Sequence, residues 1–156
     1  MLEDNIKKQV EEVLESFAKK LIESARDNLK KNKKNVSNTL SDSMGYEIED
    51  GQLIILMESY GKFVDEGVNG ISNKYNTPYK YSKMPNITAL SEYAKSRGLK
   101  LRDSKGRFKK GGYKTIGFLI ARKLLNEGLK PSYFLKNPYD KQVRALSKDI
   151  INNINL

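Results

Sequence analysis

Leu53-Ile54-Ile55-Leu56-Met57, followed closely by Tyr60-Gly61-Lys62-Phe63-Val64-Asp65-Glu66-Gly67, is the stretch on which the reading of this chain turns. The first run is apolar on both faces of an extended strand, so it predicts a strand that is central in a sheet or covered on both sides. Just before it, Glu49-Asp50-Gly51-Gln52 carries the Asp-Gly pair that favours a tight hairpin turn. Strands are therefore expected over 44–49 and 52–58. Met44, Tyr46 and Ile48 alternate with Gly45, Glu47 and Glu49, which predicts one buried face on the first strand. Residues 59–66 can turn helical or stay extended, and Gly67, reinforced by Gly70, ends them. Two acids follow an aromatic-rich segment with no reactive group beside them. The phrase reads as a structural corner that closes the strand and fixes the chain's exit.

Outward from this centre, Ile6, Val10, Val13, Leu14, Phe17, Leu21 and Ala25 recur at helical spacing and predict one long helix over 3–34. Its acids lie early and its lysines late, as the helix dipole favours. A polar link from Asn35 to Ser41 follows. Residues 68–85 have no clear period. Tyr75, Tyr79 and Tyr81 stand among Lys74, Lys80 and Lys83, a mixture that can stack bases or pin a long loop to the body. Pro85 opens a short helix with Asn86 or Thr88 as cap, Leu90, Tyr93 and Ala94 inward, and Gly98 as its stop. Leu99–Arg102 and Arg107–Lys110, joined through Asp103-Ser104-Lys105-Gly106, predict a small basic hairpin. A helix over 113–127 is expected to line a face with Ile116, Leu119, Ile120, Lys123 and Leu124. A last helix over 138–154 is expected to bury Val143, Leu146, Ile150 and Ile151. The fold class is α+β: a small antiparallel sheet packed against a long N-terminal helix and a C-terminal helix. One domain over 1–156 is expected, with 68–112 as an inserted basic loop, short helix and hairpin.

The 156 residues include no cysteine and no histidine, which removes thiolate chemistry, the commonest general base and the commonest metal ligand. Gly106, Gly111 and Lys114-Thr115 resemble a phosphate-binding loop only superficially, because Gly112 stands where the lysine is needed. Asp103-Ser104-Lys105 sits on a turn, without the acid-bearing strand of a metal-dependent nuclease. Asp65 and Glu66 are adjacent and point apart, a poor pair for one cation. The expectation is no enzyme, no cofactor and no metal. No apolar run approaches the length of a membrane span. Met1-Leu2-Glu3-Asp4-Asn5 lacks a basic-then-apolar leader, and synthesis in a reducing cytoplasm is expected. The net charge of +10 is uneven: residues 71–130 hold 15 basic and 3 acidic side chains, whereas residues 1–70 hold 10 and 14. A partner rich in phosphate or carboxylate fits the middle section, as does a merely solvated face.

At Tyr60–Gly67, and again at Pro131-Ser132-Tyr133-Phe134-Leu135 with Pro138, the chain resembles the tail-completion, or head–tail joining, proteins of tailed bacteriophages. The order of parts is also similar: N-terminal helix, polar link, hairpin, aromatic phrase ending in glycine, variable loop, then a proline and Phe-Leu phrase before a C-terminal helix. Val68 stands where that family has threonine. The resemblance covers the two ends of the chain and leaves out residues 70–128. It implies a structural virion protein, assembled in the host cytoplasm, forming a homo-oligomeric ring in the neck or at the top of the tail. A hexamer is favoured and a dodecamer is possible. The partners implied are portal, neck or tail proteins and packaged DNA, with no membrane and no catalysis. Tyr60, Phe63 and Val64 are then expected in the core, with Asp65 and Glu66 towards a neighbouring subunit; Gly67, Tyr133 and Phe134 complete the interface or corner set. Lys100, Arg102, Lys105, Arg107, Lys109 and Lys110 are the candidates for facing a channel or nucleic acid. The alternative is a nucleic-acid-binding module that uses this basic middle section.

Overall fold

The long apolar stripe near the N-terminus produces the dominant element of the computed structural model, which describes residues 1–32 and 38–153. Helix α1 runs Leu2–Lys31, with Glu3 and Asp4 in its first turn and Lys30 and Lys31 in its last. The expected helix end at Lys33 and Lys34, and the first residues of the polar link, lie outside the described residues. The last residues of the expected link, Thr39 to Ser41, are helical. Helix α2 (Thr39–Ser43) follows and buries Leu40 and Ser41. Arg26 of α1 holds this turn by donating from Nε to the Ser41 carbonyl at 3.0 Å and from its terminal nitrogen to the Met44 carbonyl at 3.1 Å.

Strands β1 (Gly45–Glu49) and β2 (Gln52–Leu56) pair antiparallel, with Tyr46 opposite Ile55 and Glu47 opposite Ile54. The turn forms at Asp50-Gly51, both residues having positive φ (47° and 76°), as the tight hairpin requires. The expectation that β2 is covered on both sides is wrong. Among the described residues the sheet has two strands, and α1 packs against it. On the far face of β2, Ile54 and Leu56 are each 40% exposed. Five apolar residues in a row therefore mark one packed face and one uncovered face.

Helix α3 (Gly61–Glu66) settles the open choice over 59–66. Helix α4 (Ile87–Ser96) is capped by the Asn86 side chain, which accepts from the Ala89 amide at 3.1 Å. It closes with the amides of Gly98 and Leu99 donating to the Lys95 and Ala94 carbonyls, the paired bonds of a glycine-terminated helix end. Tyr93, expected inward, is exposed. Strands β3 (Leu101–Arg102) and β4 (Phe108–Lys109) form the basic hairpin. Helix α5 (Tyr113–Glu127) packs on α4 through Ile116, Gly117 and Ala121, while Leu119 and Lys123, expected on this face, are exposed. Helix α6 (Lys136–Asn153) packs on α1. Its inward positions are Pro138, Gln142, Leu146 and Ile150, at steps of four; Val143 and Ile151, expected to be buried, fall on the outer side. Position 154 lies outside the described residues.

The chain divides into two compact units. The first comprises 1–66 and 132–156, the second 67–131. The expected insertion 68–112 falls inside the second unit, which continues through α5. The core of the first unit joins Ile22, Ala25 and Leu29 of α1 to Leu40, Met44 and Phe134.

Candidate functional site

Two constellations contain the residues singled out in the sequence. The first is a joint around Asp65. Helix α6 starts without a capping side chain of its own, so its first amides need acceptors from elsewhere. Asp65, 6% exposed, supplies one: its Oδ1 accepts from the Leu135 amide at 2.8 Å and the Lys136 amide at 3.2 Å. A carboxylate at that helix end also complements the dipole. The backbone reinforces the joint, since Tyr133 N donates to the Asp65 carbonyl at 2.9 Å and Ser132 donates from both its amide and its hydroxyl to the Val64 carbonyl. From the other side, Asn28 of α1 and Asn32 just past its end donate to the carbonyls of Phe134 (3.2 Å) and Ser132 (3.4 Å). Phe134 is fully buried.

This arrangement reverses part of the expectation. Asp65 is turned into its own chain, because a buried carboxylate needs donors and the start of α6 provides them. Tyr60, expected in the core, is exposed, and Phe63, Val64, Glu66 and Tyr133 are half-buried. Tyr133 takes a positive φ of 50° to place Phe134 in the core. Gly67 has the stop geometry expected of it, with φ 78°; a Cβ there would lie 2.6 Å from the Leu129 carbonyl and 2.7 Å from Pro131 Cδ.

The second constellation is the β3–β4 hairpin, which gathers Lys100, Arg102, Lys105, Arg107, Lys109 and Lys110 within eleven consecutive residues. Asp103 organises its turn. Oδ1 accepts from the amides of Lys105 and Arg107, each at 2.9 Å, and Oδ2 accepts from Arg107 Nε at 3.0 Å. The hydrogen bond from the Arg107 amide, above all, holds the Asp103 carboxyl below its ordinary pKa. Arg102 lies over the Phe108 ring at 4.3 Å from the centroid and donates to the Gly106 carbonyl at 2.9 Å; Lys100 lies 5.3 Å from the same centroid.

Between these constellations in sequence, the loop after Gly67 is tied to its own unit. Val68 and Leu129 exchange backbone bonds at 2.9 and 2.8 Å. Asn69 is the hub that sequence reasoning missed: its side chain accepts from the Tyr75 amide and donates to the Thr77 carbonyl, while its backbone bonds Tyr79 and Tyr81. Tyr75 reaches the Glu127 carbonyl through its hydroxyl at 3.3 Å, which makes it a loop anchor. The signal that was available is the Asn69-Gly70 pair, a turn former. A groove of about 460 Å³ between α1 and α6 is lined by Val13, Phe17, Lys20 and Gln142 among others, and among the described residues the buried Gln142 Oε1 has no hydrogen-bond partner. Among the described residues no group of three or more carboxylates could hold a metal ion, and no helix is long and apolar enough to cross a membrane. Compared with protein-family models, with curated proteins and with solved structures, the chain gives no match.

Proposed function

We propose that this chain is a structural, ring-forming subunit of the head–tail joining class of tailed bacteriophages, without catalysis of its own. One observation carries the reading. The two short phrases on which the resemblance rests, Tyr60–Gly67 and Pro131–Leu135, lie 70 residues apart between Asp65 and Leu135 and meet in one hydrogen-bonded joint. That the two phrases form one joint supports reading them as parts of a single structural device. On this reading Asp65 and Gly67 maintain the subunit. Contact between subunits falls instead to surface that one chain leaves uncovered, such as Ile54 and Leu56 on β2. A two-stranded sheet is marginal alone and its open edge can pair with a neighbour. Closed rotational symmetry covers such edges around the whole ring. The test is genetic. Deleting the gene from the phage that encodes it should leave filled heads and complete tails unjoined, and the protein should be found in purified wild-type particles. Normal particles formed without it would overturn the proposal.

A further inference from the structure

We infer that the β3–β4 hairpin is a binding site for the phosphate backbone of nucleic acid, with Lys100, Lys105, Lys109 and Lys110 as contacts and Arg102 held ready over Phe108. The inference does not rest on the ring reading.

The charge of this molecule belongs to one unit. Residues 67–131 hold 15 Lys and Arg against 3 Asp and Glu, a net +12, whereas the remainder holds 14 against 16, a net −2. Solubility alone calls for mixed signs and a modest net charge. A charge of +12 on 65 residues repels itself and opposes the compact state. A partner of opposite sign removes that cost.

The hairpin is where the charge is organised. Its one acid, Asp103, is consumed by the turn and by Arg107. Lys100, Lys105, Lys109 and Lys110 have no carboxylate within ion-pair distance among the described residues. Arg102 pairs across the ribbon with Phe108. Lys100 reaches the same ring, while Lys109 pairs with Leu101 and falls on the other face. Phe108 is 65% exposed, the most exposed aromatic ring among the described residues. Its π face stabilises two cations, Arg102 and Lys100, side by side where they would otherwise repel. Arg102 is further fixed by its bond to the Gly106 carbonyl, so less side-chain freedom is lost when a phosphate arrives.

The chemistry selects nucleic acid over an acidic protein. Protein interfaces have an apolar centre depleted in lysine, whereas this surface is lysine-rich around a single exposed ring. A two-stranded ribbon also has the width that the major groove of a duplex admits.

The test uses the full chain and a labelled duplex of about 30 base pairs of arbitrary sequence, with a matching single strand and poly-glutamate as a non-nucleic polyanion. With about five phosphate contacts, affinity should fall about 500-fold between about 50 and 200 mM salt. The variant K105E/K109E/K110E changes side chains that hold no hydrogen bond or ion pair among the described residues, so its circular dichroism and native mass should match the parent. Its affinity should drop by about 100-fold at low salt and its salt slope should be roughly halved. Comparable binding of duplex and single strand supports backbone recognition. Tighter single-strand binding that F108A removes supports the same site with a base stacked on the ring. Three results would overturn the inference: no DNA binding at low salt, unchanged binding by the triple variant, or displacement of DNA by poly-glutamate at equal charge.

Discussion

The two units of this chain solve the packing problem in opposite ways. The first is filled by large side chains from distant parts of the sequence: Phe17, Leu21, Ile22 and Leu29 of α1, Leu40, Met44 and Phe134 are all buried. The second buries little that is large. Ala94, Gly117 and Ala121 let α4 and α5 approach closely, and the Asn69 network supplies the loop with backbone hydrogen bonds. The first unit is close to neutral and the second strongly basic. A core of large residues resists truncation poorly, and a core of small ones resists enlargement poorly. The division of labour that we propose, assembly in one unit and nucleic-acid contact in the other, sits on that difference.

The largest effect expected from breaking it comes from Phe134→Ala. It should cost about 3–5 kcal/mol, read from urea unfolding by circular dichroism, because a fully buried ring leaves a cavity at the centre of the first unit. A loss below about 1 kcal/mol would mean that the core is centred elsewhere. Asp65→Ala should follow at about 2–3 kcal/mol, since two amides at the start of α6 lose their acceptor in a buried place. Asp65→Asn keeps a side-chain oxygen and should recover about half of that. Equal losses in the two variants would count against the capping role.

In the second unit, Gly117→Ala adds one methyl where α5 crosses α4. The new Cβ would meet the Ser91 side chain, with the Ser91 nitrogen at 2.7 Å and the Ile87 carbonyl at 2.8 Å. Glycine to alanine normally favours a helix by about 1 kcal/mol. Here the sign should reverse, with a net loss of about 1–2 kcal/mol. Stabilisation would show that the helices can separate freely. The smallest effect concerns acid. The Asp103 carboxyl is held below its ordinary value of 3.8, chiefly by the Arg107 amide. Its contribution is complete above that ordinary value and disappears as pH falls through the depressed one. Amide shifts of Lys105 and Arg107 should therefore titrate with a midpoint below 3.8; a midpoint at or above it would contradict the turn geometry.

How much was legible followed the length of the pattern. The α1 stripe repeats over many turns, and the Asp50-Gly51, Asn86 and Gly98 signals act locally, so the sequence alone located them. Helix α6 was found, and Leu146 and Ile150 are inward as expected, but Val143 and Ile151 are apolar yet out of phase with Pro138, Gln142 and Leu146. The uncovered face of β2 was misread because an apolar run cannot say whether a layer lies beyond it. The corner at Tyr60–Gly67 was legible as structural; its inward carboxylate was not, because its partners come from the other end of the chain. The basic hairpin was legible in full as a charge cluster, but the Phe108 clamp needs the Arg102 pairing register to be seen.

The proposed ring is best tested by the mass of the full chain under native conditions. A ring gives a single closed species at an integral multiple of the 17.8 kDa chain, with six copies favoured. A stable monomer at micromolar concentration, or an open ladder of sizes without closure, would contradict it.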